Sequence, residues 1–290
     1  MEVSLFHNPK AGDGDWPADK LVRLLEMSGF APVHCSTRSK ELEQALENPH
    51  DLVVIAGGDG AVAEIVRALH GRSHTIVILP TGSSNNIARA LGIVEEPRHI
   101  VAGLAKAKRT PLRIGVVEGP EWSRNFVEAV GMGPITAAIE QGAAGGKEHG
   151  SDLVGERRDE LRRIVADCEP LDVSLIADGK RLDEKMLMLE VLNLPMIGPN
   201  LLLAPEADPG DAHLDVAWLP AAKRRSMLAW LKDPEARGSP LQRIRAKQVE
   251  LHPRGGSLHV DDKAVEGGEA TLTIRIEPKP VTVLITGGEE

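Results

Sequence analysis

The sequence predicts an α/β domain with a parallel sheet, followed by a β-rich sandwich domain. Two observations carry this. Over the first 112 residues short apolar runs alternate with segments of helical spacing, and strands separated by helices need crossovers, hence parallel pairing. In the second half most segments are strand-like, closely spaced and divided by turn residues, as in antiparallel sheets. The boundary falls near 110–114, giving domains 1–112 and 113–290, with the final strand free to return towards the first domain.

The elements follow in order. VSLFH (3–7) is a short apolar strand. PADKLVRLLEMSG (17–29) starts with Pro17, places Leu21, Leu24 and Leu25 at helical spacing and stops at Gly29. APVHC (31–35) is a strand, and SKELEQALEN (39–48) a helix capped by Ser39. DLVVIA (51–56) is a strand, and the helix after it lines up Val62, Ile65, Val66 and Leu69. HTIVILP (74–80) is a strand, SNNIARALG (84–92) a helix, and EPRHIVAGLAKAKR (96–109) a last helix. The later strands are RNFVEAVG (124–131), LDVSLIADG (171–179), MLMLEVLN (186–193), NLLLAP (200–205), HLDVAWL (213–219), AKQVELH (246–252), GSLHVDD (256–262), ATLTIRI (270–276) and VTVLIT (281–286). Helices interrupt them near 151–167 and 223–231, and EQGAAGGKEHG (140–150) reads as a flexible loop.

Composition narrows the function. With 34 basic and 43 acidic residues the net charge is -9, which argues against bulk attraction to nucleic acid. The clusters GERRDELRRI (155–164) and AAKRRS (221–226) read as solvated helix faces. Tyrosine is absent, and 3 Phe with 4 Trp offer few platforms for stacked bases. Cys35 and Cys168 lack metal-like spacing and suggest buried thiols in a reducing compartment. No apolar run approaches ~20 residues, and MEVSLFHNPK is not a signal peptide, so the expected location is cytoplasmic.

Three strand ends carry unusual sequences: NPKAG (8–12), GGDG (57–60) and PTGSSNN (80–86). Ligands of open α/β sheets sit at the carboxyl ends of strands. Glycine lets backbone N–H groups approach an anion, and the following helix N-terminus favours negative charge. Asp59 inside such a turn is either an N-cap or a group that handles metal or proton beside a phosphate. Three such loops together favour a nucleotide phosphate.

These stretches, with GGDGAVAEI, PTGSSNNIARALGI, APEADPGDAHLDV (204–216) and LHVDDKAV, resemble the diacylglycerol kinase catalytic family, whose members include bacterial lipid kinases and sphingosine kinases. The resemblance implies ATP held between the α/β domain and the β-sandwich. It implies that Asn8, Gly12 and Thr37 meet the nucleotide, that Gly57, Gly58, Gly60, Gly82, Ser83 and Asn85 line its phosphates, and that Glu64 faces ribose or adenine. Asp59 and Asp261 become the acid–base and metal-network candidates, and Asp211 and Asp208 match a structural Mg²⁺ region of bacterial members.

The departures from the family pattern are Ala61 for threonine, Asn86 for aspartate, Arg113 for aspartate, Ala212 for glycine, and Asp262 and Lys263 for glycine and glutamate. Lys263 is thereby a candidate catalytic cation. The function expected is an ATP-dependent, Mg²⁺-assisted lipid kinase that phosphorylates a diacylglycerol- or sphingoid-like hydroxyl. The rivals are a degenerate member that binds nucleotide or lipid, and a kinase for a soluble alcohol or nucleotide. No amphipathic anchor is visible; transient peripheral contact with a membrane surface and a homodimer stay open.

Overall fold

A computed structural model describes residues 1–142, 153–236 and 238–287. Most of the 140–150 loop lies outside the described residues. The chain forms two compact units, one of residues 1–112 with 279–287, the other of 113–142 with 153–278.

The first unit runs β1 (Glu2–His7), α1 (Ala18–Met27), β2 (Ala31–Ser36), α2 (Leu42–Glu47), β3 (Leu52–Gly57), α3 (Asp59–Leu69), β4 (Thr75–Pro80), α4 (Asn86–Ala90), α5 (Pro97–Gly103) and β5 (Lys108–Leu112). Its sheet has the order β2-β1-β3-β4, continued by the last strand of the chain, β20 (Val281–Ile285), and then β5. β1 to β4 and β20 run parallel, and β5 is antiparallel to β20. β3 is apolar throughout and buried at every position, as the centre of a parallel sheet requires. Leu21 and Leu25 of α1, and Val62, Ile65, Val66 and Leu69 of α3, are the buried faces their spacing predicts.

Two local readings need correction. The helix expected from Ser39 starts at Leu42; the Ser39 hydroxyl instead accepts the Glu41 N–H at 3.1 Å in the turn before it. The helix expected through residue 109 stops at Gly103, and Lys108 and Arg109 pair with Ile285 and Leu284. Local periodicity cannot foresee a strand whose partner arrives more than 170 residues later.

The second unit runs β6 (Gly115–Glu118), β7 (Ser123–Phe126), β8 (Ala129–Met132), α6 (Pro134–Glu140), α7 (Leu153–Asp167), β9 (Val173–Ala177), β10 (Lys180–Leu182), β11 (Met186–Leu192), β12 (Met196–Ile197), β13 (Leu201–Leu202), β14 (Leu214–Pro220), α8 (Arg224–Trp230), β15 (Gln242–Ala246), β16 (Gln248–Pro253), β17 (Ser257–Val260), β18 (Lys263–Glu266) and β19 (Leu272–Ile276). Among the described residues it holds two six-stranded antiparallel sheets, β10-β9-β16-β19-β6-β7 and β15-β14-β11-β8-β17-β18. Phe126, Leu175, Val191, Trp218, Leu251 and Ile274, drawn from both, share one core. A second core packs Ile135, Leu161, Val165 and Trp230 of α6, α7 and α8 with Leu187 and Leu219.

The run RNFVEAVG is not one strand. It is the end of β7 and the start of β8, which belong to different sheets. The basic cluster at 221–226 is more than a solvated face, because the Arg224 guanidinium donates to the carbonyls of Val165, Ala166 and Cys168 at 2.6, 3.0 and 2.6 Å and so closes the C-terminal end of α7. Both cysteines are free and half-buried rather than buried.

Candidate active site

The three glycine-rich strand ends of the first unit meet backbone to backbone. After β1 the Asn8 N–H bonds the Ala56 carbonyl at 2.8 Å, and the Asn8 side chain accepts the Lys10 N–H at 3.1 Å. Gly12 lies in the left-handed region at φ +60°, and a Cβ there would stand 2.2 Å from the Thr81 carbonyl oxygen. A Cβ on Gly82 would stand 2.4 Å from the Gly58 Cα. Only glycine permits these approaches, and the loops after β1, β3 and β4 therefore form one cradle.

Side chains fix its shape. Asn85 takes a left-handed φ of +52°, tolerable for asparagine, and its amide both accepts the Gly82 N–H at 3.0 Å and donates to the Gly82 carbonyl at 2.7 Å. Gly58 is the N-cap of α3, whose first turn carries Asp59 and Gly60. Thr81 Oγ1 and Ser84 Oγ are buried yet have no hydrogen-bond partner. Buried hydroxyls in that condition are costly unless a ligand or water meets them. A cavity of about 330 Å³ opens beside Gly12, Thr81, Gly82 and Asn85 and reaches Trp16 and Arg89. Glycine amides, a helix N-terminus and partnerless hydroxyls fit a phosphate group. Thr81 and Ser84 were not singled out from the sequence, although both stand inside the PTGSSNN run that pointed here.

Asp59 does not cap its own helix. It is the first residue of α3, and its Oδ1 accepts the Ile87 N–H of α4 at 2.9 Å. Burial pushes the Asp59 carboxyl above its ordinary range, while the amides of Ile87, Asn86 and Asn85 pull it back. The residue as a whole stays partly open to solvent. Ser83 and Gly60 are exposed at the rim. The Thr37 N–H bonds the His7 carbonyl at 2.9 Å, which puts Thr37 at the same sheet end, and Glu64 lies on an exposed flank of α3.

The remaining candidates belong to the second unit. Asp261, only 6% exposed, holds a left-handed φ of +52°. Its carboxylate accepts the N–H groups of Val127 at 3.0 Å and Glu128 at 2.8 Å, where the chain passes from β7 to β8. That is why RNFVEAVG divides between two sheets. The left-handed turn falls on Asp261 and not on residue 262, so Asp262 replaces the family's glycine without backbone strain. Lys263 is exposed at the start of β18, whereas the Asp261 carboxylate faces inwards.

Asp211 is ion-paired with Arg245 and accepts the His213 N–H at 2.7 Å, while Asp208 accepts the Gly210 N–H at 2.8 Å. Among the described residues no three His, Cys, Asp or Glu side chains come together as a metal would need. The Asp211 carboxylate, which the resemblance offers to a structural Mg²⁺, is thus already paired with a guanidinium. Arg113, by its guanidinium, donates to the carbonyls of Gly210 and Pro278 at 3.2 and 2.7 Å.

Residues 2–117 match the model of the diacylglycerol kinase catalytic domain, and residues 160–285 match that of the YegS C-terminal NAD kinase beta sandwich-like domain. Over these two segments the chain is similar to the diacylglycerol kinase and YegS-like lipid kinase family. Among relatives of this family, a diacylglycerol kinase of Bacillus subtilis is 24% identical over 75% of this chain and 73% of its own length. A probable YegS-like lipid kinase of Pseudomonas aeruginosa is 26% identical over 85% and 80%. The crystal structure of a putative diacylglycerol kinase from Bacillus anthracis has the same fold, with a TM-score of 0.76 at 20% identity over 99% of this chain and 97% of that one. An NAD kinase from Archaeoglobus fulgidus, solved in complex with ATP, follows at a TM-score of 0.53 and 16% identity over 99% and 94%. Among the described residues no helix is long and apolar enough to cross a membrane.

Proposed function

We propose that this chain transfers the γ-phosphoryl group of ATP to the hydroxyl of a lipid of the diacylglycerol or sphingoid class. The observation that carries the reading is the convergence of three glycine loops on one cradle, with the partnerless Thr81 hydroxyl beside its cavity. In this reading the amides of Gly57, Gly58 and Gly60 and the hydroxyls of Thr81, Ser83 and Ser84 receive the phosphates, and Gly82, whose N–H is held by Asn85, gives them room to approach. Asn8, Gly12, Thr37 and Glu64 take the rest of the nucleotide, and Asn85 keeps the third loop closed. Asp59, whose carboxyl burial raises above its ordinary range, accepts the proton of the lipid hydroxyl as its oxygen bonds to phosphorus and ADP leaves. Mg²⁺ carried in with the nucleotide supplies neutralisation of phosphate charge. Asp261 acts through the backbone it holds.

The rival, nucleotide binding without turnover, is favoured by one observation: Asp261 and Asp211 are already engaged with protein groups. One assay separates the readings. Labelled ATP and Mg²⁺ are offered with diacylglycerol, sphingosine and glycerol in separate arms, to wild type and Asp59→Asn. Labelled lipid formed by wild type and lost in the variant supports the kinase reading. Bound ATP without any product supports the rival, and product only with glycerol moves the acceptor to soluble alcohols.

A further inference from the structure

We infer that arginine side chains close the acidic loop 203–213 in the place where a divalent cation was expected, so that this loop folds without metal. Three guanidinium groups reach it from two directions. Arg113, where the chain enters the second unit, donates from Nε to the Gly210 carbonyl at 3.2 Å, and its own N–H bonds the Pro209 carbonyl at 2.8 Å. Arg243 of β15 donates to the Leu203 carbonyl at 3.2 Å. Arg245, two residues further and so on the same face of that strand, pairs with the Asp211 carboxylate.

These are the oxygen types that Mg²⁺ would take, a carboxylate and peptide carbonyls. Mg²⁺ gives up its water reluctantly and demands near-octahedral oxygen. A guanidinium is always charged, less strongly hydrated and shaped for carbonyl and carboxylate oxygen. It is also tethered, so its occupancy does not depend on ion concentration. The other Asp211 oxygen accepts the His213 N–H, and the Asp208 carboxylate turns back on the Gly210 N–H. The loop nevertheless remains rich in negative charge. Glu206 and Asp215 stand near, with Asp215 directly across the strand pair from Arg245. Removing one guanidinium should therefore uncover a cation site that wild type has closed.

The inference deepens the kinase reading by confining its divalent ion to the one that travels with the nucleotide. The test uses the whole chain without nucleotide, so a failure of phosphoryl transfer leaves it unaffected. Thermal unfolding is followed in EDTA and in millimolar Mg²⁺ at constant ionic strength. Wild type is expected to melt at one temperature in both. Arg245→Gln is expected to melt about one to three degrees lower in EDTA, as loss of a partly exposed ion pair does, and to recover with Mg²⁺, and adding Asp211→Asn should abolish the recovery. A wild-type melting temperature that falls in EDTA and returns with Mg²⁺ overturns the inference, as does an Arg245→Gln protein indifferent to Mg²⁺. If Arg245→Gln does not fold in EDTA, its folding is attempted in Mg²⁺. Rescue there supports the inference, and failure there overturns it. Calorimetric titration of nucleotide-free wild type with Mg²⁺ is a second check: micromolar binding would overturn the assignment.

Discussion

Asp59 in the first unit and Asp261 in the second perform the same local task, because each carboxylate accepts peptide N–H groups where the chain changes direction. Their surroundings differ. Around Asp59 the neighbouring loops carry partnerless hydroxyls and glycine backbone, and the residue keeps part of its surface in solvent. Asp261 is buried at the β7–β8 crossover, and the acidic loop 203–213 of the same unit is already bound by arginines. The contrast teaches where chemistry is still on offer: a carboxylate with open neighbours can act on a ligand, whereas one enclosed by its own chain acts on the fold.

The largest effect should come from the cradle. Gly82→Ala forces a methyl group against the Gly58 backbone and parts the loops that would receive the phosphates, so ATP affinity by calorimetry should fall by about 10²-fold, ~2.7 kcal/mol of binding energy. An unchanged affinity would move the nucleotide elsewhere and dissolve the contrast. Asp59→Asn keeps an acceptor for the Ile87 N–H but removes the base, so turnover should fall by ~10²-fold with little change in melting temperature. Because burial raises the Asp59 carboxyl, the acid limb of the wild-type pH–rate profile should lie above the ordinary aspartate value of ~3.9, and it should vanish in the variant.

Asp261→Ala should do the reverse. It leaves buried N–H groups unpartnered, at a cost of about 1–3 kcal/mol in denaturant unfolding, and ATP affinity should persist. Full stability with lost turnover would make Asp261 a chemical residue and break the comparison.

A smaller effect sharpens it. Glu190 is fully buried at 3.3 Å from His259 Nε2, whose Nδ1 lies 3.0 Å from the Thr136 hydroxyl, and burial pushes the Glu190 carboxyl up against the pull of His259. A raised carboxyl contributes stability that is complete below the ordinary glutamate value of ~4.3 and is lost as pH climbs through the raised value. Wild-type melting temperature should therefore decline over that rising window, and Glu190→Gln should flatten the decline. An equal decline in both proteins would assign it to other groups. Smallest of all, Lys263→Glu exchanges an exposed charge and should alter turnover by no more than about twofold, as exposed charges generally do. A collapse of turnover would restore Lys263 as a catalytic cation.

Much of this was legible in the chain. The buried faces of α1 and α3 follow from leucine and valine spacing, and β3 follows from an unbroken apolar run. The glycine loops announce their proximity to one another only indirectly, as three similar interruptions at strand ends. What stayed hidden depends on partners distant in sequence. Lys108 and Arg109 look helical until β20 lies beside them, and RNFVEAVG looks continuous until Asp261, more than 130 residues away, takes the amides at its middle. The arginines of AAKRRS look solvated until the carbonyls at the end of α7 are in place.

By itself the sequence determined the alternation of strands and helices, the parallel character of the first sheet and the glycine-rich turns at three strand ends, because periodicity, glycine and chain direction act within a few residues. Only the tertiary structure decided which peptide N–H groups and guanidinium groups each carboxylate meets. A side chain of one type has the same donors and acceptors wherever it stands; whether they are satisfied depends on peptide groups and guanidinium groups that folding brings from far along the chain.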